Sequence, residues 1–220
     1  MGLRTLLLAL ALVLGLGLEA NSAPDETLGS LLDQTVERLA ANDLAGARTF
    51  SEQAESLARG LAAPDPQQFA NALNNLAYVL FRLGTEPDRS RALWQEALVF
   101  LEQGGQRHSD AWFRAVANLV AARRTWGEMD AARRLVGETL AGARGTPGEA
   151  QAMSLAADFD FQAGDYVASA RLFDELLDAH PGQLRPVFGA LYVALAKPPT
   201  RASMPGTWTR RWRWRRRRRT

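Results

Sequence analysis

The sequence predicts an all-α protein built from antiparallel helix pairs stacked in register, and three observations carry that prediction. Four eight-residue blocks align, at 47–54, 90–97, 132–139 and 169–176, with offsets of 43, 42 and 37 residues. Their first position is always small (Ala47, Ser90, Ala132, Ser169) and their fourth always bulky and apolar (Phe50, Leu93, Leu135, Leu172). Each block also places small or apolar residues on one helical face, as Ser90, Leu93, Trp94 and Ala97 do. No segment sustains the two-residue alternation of a half-buried strand. A near-constant period of this length means repeated supersecondary units, each needing its neighbours to cover its apolar side.

The elements follow in order. Helices are predicted near 27–41 and 44–58, 67–83 and 88–103, 110–125 and 128–142, 148–163 and 166–179, with a ninth from about 183 to 196. The turn inside each pair falls at Asn42, Gly84, Gly127 or Gly164, residue types that accept the left-handed conformation closing a helix. The first helices carry their own apolar column, Leu31, Leu73, Val116 and Met153. Asp65 before Pro66 reads as an N-cap with proline in the first turn, and Thr146 to Glu149 as a capping box. Small residues in the first column of each block are expected where paired helices cross most closely, and Trp94 and Phe173 are expected to fill the space between successive pairs.

Composition divides the chain. The 220 residues have 47% apolar content, enough for a core, and a formal charge of +2 that averages two unlike regions. Nine of the 26 basic residues lie within 201–220; without them 17 basic groups face 24 acidic ones. A mildly acidic body has no electrostatic footprint for nucleic acid. At the other end Arg4, the apolar run Leu6–Leu18 and the small stretch Ala20–Ala23 have the three-part layout of a secretory signal peptide. The run is shorter than the roughly twenty residues that span a bilayer. Residues 1–23 are therefore expected to be a signal peptide, 24–196 the helical domain and 197–220 a separate tail. The expected location is outside the cytoplasm, periplasmic or extracellular, and zero cysteines mean no disulfide staples.

Leu76-Ala77, Gly84, Ser90, Trp94 and Ala97 in one copy, and Gly164-Asp165-Tyr166, Ser169, Phe173 and His180-Pro181 in another, resemble the tetratricopeptide repeat family. The period near 42 and the run Ala72 to Ala77 are more similar to the kinesin-light-chain subgroup. The resemblance covers about 27–196 and implies a right-handed superhelix that binds a protein or peptide in a concave groove lined by the first helix of each pair.

Asn75 and Asn118 are 43 residues apart, as are Gly84 and Gly127, so they share a repeat position. The resemblance implies that such asparagines hydrogen-bond the backbone of an extended peptide, to which an amide offers both donors and an acceptor. Arg114, one turn from Asn118, could hold a carboxylate. Asn74 is a weaker candidate, because Ala117 stands at its counterpart. The same amides could instead bond within their own stack. Catalytic signals are poor: no cysteine, two histidines (His108, His180) without metal-ligand spacing, no phosphate-binding glycine loop. Asp158 and Asp160 point to different helix faces and read as a solvated edge. The expectation is a non-enzyme with no cofactor and no metal. Trp94 reads as core, and Trp112 as a cap on the stack or a groove residue.

Trp208–Thr220 is almost entirely tryptophan and arginine. As a genuine segment it would suit nucleic acid or an anionic membrane. The tryptophan codon and a common arginine codon both end in two guanines. The run is thus also what a shifted frame would make of a small-residue helix, the missing partner of 183–196.

Overall fold

The computed structural model describes residues 27–180. The predicted signal peptide at 1–23, the ninth helix at 183–196 and the tail at 197–220 lie outside the described residues. Among the described residues there are eight α-helices and no strand: α1 Leu28–Ala40, α2 Leu44–Gly60, α3 Pro66–Leu83, α4 Pro87–Gln103, α5 Asp110–Thr125, α6 Met129–Ala143, α7 Glu149–Gln162 and α8 Tyr166–Ala179.

Local chemistry sets these boundaries. Thr27, Asp43, Asp65, Ser109 and Asp165 each accept a hydrogen bond from a backbone N–H in the first turn that follows, satisfying a donor the helix leaves open. The turns inside the four pairs carry Asn42 at φ 55°, Gly84 at 68°, Gly127 at 80° and Gly164 at 86°. These left-handed positions reverse the chain within three residues. The capping box at Thr146 does not form. The Thr146 hydroxyl donates to the Ala143 carbonyl 2.7 Å away and accepts from Gly148 N–H, while the Glu149 carboxylate takes Gly145 N–H. The cap of α7 falls at Gly148, two residues on, so Thr146 and Glu149 serve the connecting turn instead of a capping box.

Helices associate within each pair (α1–α2, α3–α4, α5–α6, α7–α8) and between neighbouring pairs (α2–α3, α4–α5, α6–α7). Beyond that, successive first helices touch (α1–α3, α3–α5, α5–α7), whereas no such backbone approach joins successive second helices among the described residues. The closer spacing on one side makes the first helices the inner layer of a curved stack. The small column Ala47, Ser90, Ala132 and Ser169 is fully buried, as are Trp94 and Phe173. Ser90 is both small and satisfied, its hydroxyl donating to the Ala77 carbonyl at 2.9 Å on the partner helix. Leu31, Leu73, Val116 and Met153 line the same continuous core.

Candidate inner surface

The inner layer is stitched from repeat to repeat by amide groups. Asn74, on α3, is buried, and its Oδ1 accepts from Trp94 Nε1 at 3.0 Å and from Asn118 Nδ2 at 2.9 Å. A fully buried indole N–H without an acceptor would cost about 1–3 kcal/mol, and Asn74 removes that cost. The same oxygen then orients Asn118 on α5, half-buried and one repeat away. Arg114 is exposed and donates to Asn71 Oδ1 at 3.3 Å across the same step. Arg82 donates to Asn42 Oδ1 at 3.0 Å and to the Tyr78 hydroxyl at 3.2 Å. Arg124 reaches the Gln162 side chain and, at 3.3 Å, its carbonyl. Gln151 donates to Asp110 at 2.7 Å.

Of the four residues singled out from the sequence, the fold brings Asn74, Asn118 and Arg114 into contacts across the α3–α5 step, and each acts there toward its own stack. Asn75 differs. It is half-buried on α3, one position along from Asn74, and its amide has no hydrogen bond among the described residues. Asn71 was passed over in the sequence. Its signal was the spacing of 43 that separates it from Arg114, the same interval that relates Asn75 to Asn118.

The outer layer is bound together differently. Arg48 on α2 pairs with Glu52 at 2.9 Å and with Glu86, ahead of α4, at 2.7 Å. Arg91 on α4 repeats the step, pairing with Glu128, ahead of α6, at 2.6 Å. Between them Arg59 holds Glu96 through two bonds of 2.7 Å, and Arg89 joins Glu55 and Glu86 at 3.0 and 3.1 Å. These hydrogen bonds hold the Arg48, Arg59 and Arg91 guanidiniums further above their usual range, and the Glu86 carboxyl below its own. No carboxylate lies within 4.0 Å of Arg82, Arg114 or Arg124 among the described residues.

Trp94, Phe81 and Trp126 form an aromatic cluster, with centroids 5.9–6.3 Å apart and Arg91 over the Trp126 ring. Trp112 is buried and donates to Glu102 at 3.2 Å, so it closes the stack edge instead of lining the groove. His108, at φ 67°, stacks on Phe113 and lies 3.4 Å from the Thr146 hydroxyl; burial and nearby Arg107 push its ring below the usual pKa. A Cβ on Gly148 would come within 2.8 Å of both His108 and Phe113, so this joint admits only glycine. His180 caps α8 through its backbone N–H, and its ring sits 4.0 Å from Glu149. Asp158 is not a solvated edge residue: it is half-buried, and desolvation raises its carboxyl pKa. Asp160 is raised by burial and by Asp165. Among the described residues no three metal-ligating side chains converge, and no helix is long and apolar enough to cross a membrane.

No family model matches the chain, and no curated protein does. Solved structures do. The crystal structure of BtubC (BKLC) from P. vanneervenii superposes with a TM-score of 0.57 at 19% identity, over 77% of this chain and 73% of that one. The nearly identical TPR-like repeats of a kinesin-light-chain-type protein from Podosopora anserina give 0.56 at 14%, over 76% and 81%. The fold is a TPR-like α-solenoid.

Proposed function

We propose that this chain is an exported, non-catalytic scaffold that binds a protein or peptide partner along its inner surface. The observation that carries the proposal is the free amide of Asn75, half-buried beside a polar seam whose other members are already positioned. A peptide backbone laid along α3 and α5 would meet that amide, then the outward edge of Asn118, then Arg114. Arg82, Arg114 and Arg124 are held by neutral oxygens, so their charge is left for a carboxylate on the partner. Export rests on the layout of residues 1–23, and N-terminal sequencing of the mature protein checks it.

The test is affinity capture from the source envelope fraction with the mature chain, run beside an Asn75→Ala/Arg114→Ala variant. A partner retained by the first and lost by the second, with both melting within about 2 °C, supports the reading. Equal retention by the two removes the inner surface from the account.

A further inference from the structure

We infer that α6 is a flexure that divides the solenoid into two bodies, α1–α5 and α7–α8. The sequence repeats an arginine at the second position of three blocks, Arg48, Arg91 and Arg133. The first two bridge to the residue ahead of the next second helix, Glu86 and Glu128. At the equivalent position, the residue ahead of the next second helix, the third bridge would run from Arg133 to Asp165 ahead of α8. It is not made: Arg133 lies over the Phe159 ring at 5.7 Å, and Asp165 caps its own helix through Ala168 N–H. The outer ladder of close ion pairs therefore stops at α6, where Arg133 acts on the Asp160 carboxylate only at longer range.

The helix itself is weakly anchored. Its buried side chains are Ala132, Val136, Thr139 and Ala143, with Leu135 and Leu140 only partly buried against the core, where α4 buries Leu93, Trp94 and Leu101 beside Ser90 and Ala97. The buried Thr139 hydroxyl has no hydrogen-bond partner. Gly137 and Gly142 lie inside the helix, and a Cβ on Gly137 would meet nothing within 4 Å. Interior glycine is unfavourable wherever a side chain would fit, because the unfolded backbone has more freedom to lose. Small side chains and interior glycines lower the free energy of local opening. Past its C-terminus the chain is fastened again, where His108 and Phe113 close over Gly148 and Thr146. A weak helix between a braced body and a clamped joint bends. The inner hydrogen bonds from Gln151 to Asp110 and from Arg124 to Gln162 then serve as the hinge line, and the outer side opens or closes at α6 without disturbing the α3–α5 seam.

Two measurements on the full chain decide it, and neither needs a partner, so failure here leaves the binding proposal standing. In hydrogen exchange, amides of 129–143 should exchange at least about tenfold faster than those of 87–103. Gly137→Ala should slow exchange in 129–143 about fivefold, the value of one interior glycine, and leave 87–103 unchanged. Because the chain has no cysteine, spin labels can be placed singly. The distance distribution between Gln53→Cys and Gln95→Cys should be narrow. That between Gln95→Cys and Glu175→Cys should be broad, and Gly137→Ala should narrow it. Equal protection of the two helices, or equal widths for the two label pairs, overturns the inference.

Discussion

The inner and outer layers of this solenoid are held by different chemistry. On the outside, arginines of α2 and α4 are neutralised by glutamates one repeat away. On the inside, arginines of α3 and α5 are held by amide and carbonyl oxygens that carry no charge. An ion pair satisfies both partners and leaves little to offer a ligand. An amide fixes the guanidinium in place yet leaves its charge uncompensated. Across α2–α5, the layer in which an arginine stands separates those that brace the fold from those whose charge is left unspent.

Trp94 spans the two layers, and removing it should have the largest effect. It is fully buried, in contact with Phe81 and Trp126, and bonded to Asn74. Trp94→Ala should destabilise the chain by about 3–5 kcal/mol, read as a lower urea midpoint. Asn74→Ala attacks the same joint from inside. It leaves the Trp94 indole and the Asn118 amide without their acceptor, for a loss of about 1–3 kcal/mol. A near-neutral Asn74→Ala would dissolve the distinction between a structural and an available inner amide.

Asp158 sharpens the comparison through pH. Burial raises its carboxyl above the usual 3.8, so the folded state binds the proton more readily than the unfolded chain. Its contribution to stability is then full below that value and is lost as pH climbs through the folded pKa. Asp158→Asn mimics the protonated form. It should raise Tm at pH 7 and have no effect near pH 3, checked by paired thermal melts. The outer ladder should respond to salt and less to substitution. Arg59 is more than a third exposed even with two bonds to Glu96, so Arg59→Ala should cost less than about 1 kcal/mol. That loss should shrink further in 1 M salt. A loss above about 2 kcal/mol would mean that the ladder, and not the core, sets the stack.

Most of the fold was legible because it is periodic. The left-handed turns at Asn42, Gly84, Gly127 and Gly164 and the small column at Ala47, Ser90, Ala132 and Ser169 stand where the spacing put them. Each is a local requirement written at a fixed interval, so one copy vouches for the next. The seam was less legible. Spacing related Asn75 to Asn118, whereas the hydrogen bond forms between Asn74 and Asn118, 44 apart. Repeat position identifies equivalent residues, but adjacent helices are offset, so the partner of a residue is not its equivalent. Asn74 also looked weak for lack of a counterpart, and that is the mark of its job: it serves Trp94, which has no aromatic counterpart at Val136 one repeat on. The capping box failed because the helix start is shifted: α7 is capped at Gly148, two residues beyond Thr146.

The smallest expected effect on stability is also the most discriminating. Asn75 sits beside Asn74 on the same helix, is the same residue type, and has no bond to lose among the described residues. Asn75→Ala should therefore change stability by no more than about 0.5 kcal/mol, where Asn74→Ala costs several times that. If Asn75→Ala matches its neighbour in cost, its amide belongs to the core and the inner layer has no free hydrogen-bonding group at this step. If it is silent in the melt and weakens partner binding, the two adjacent asparagines divide the work, one holding the stack and the other reading what lies against it.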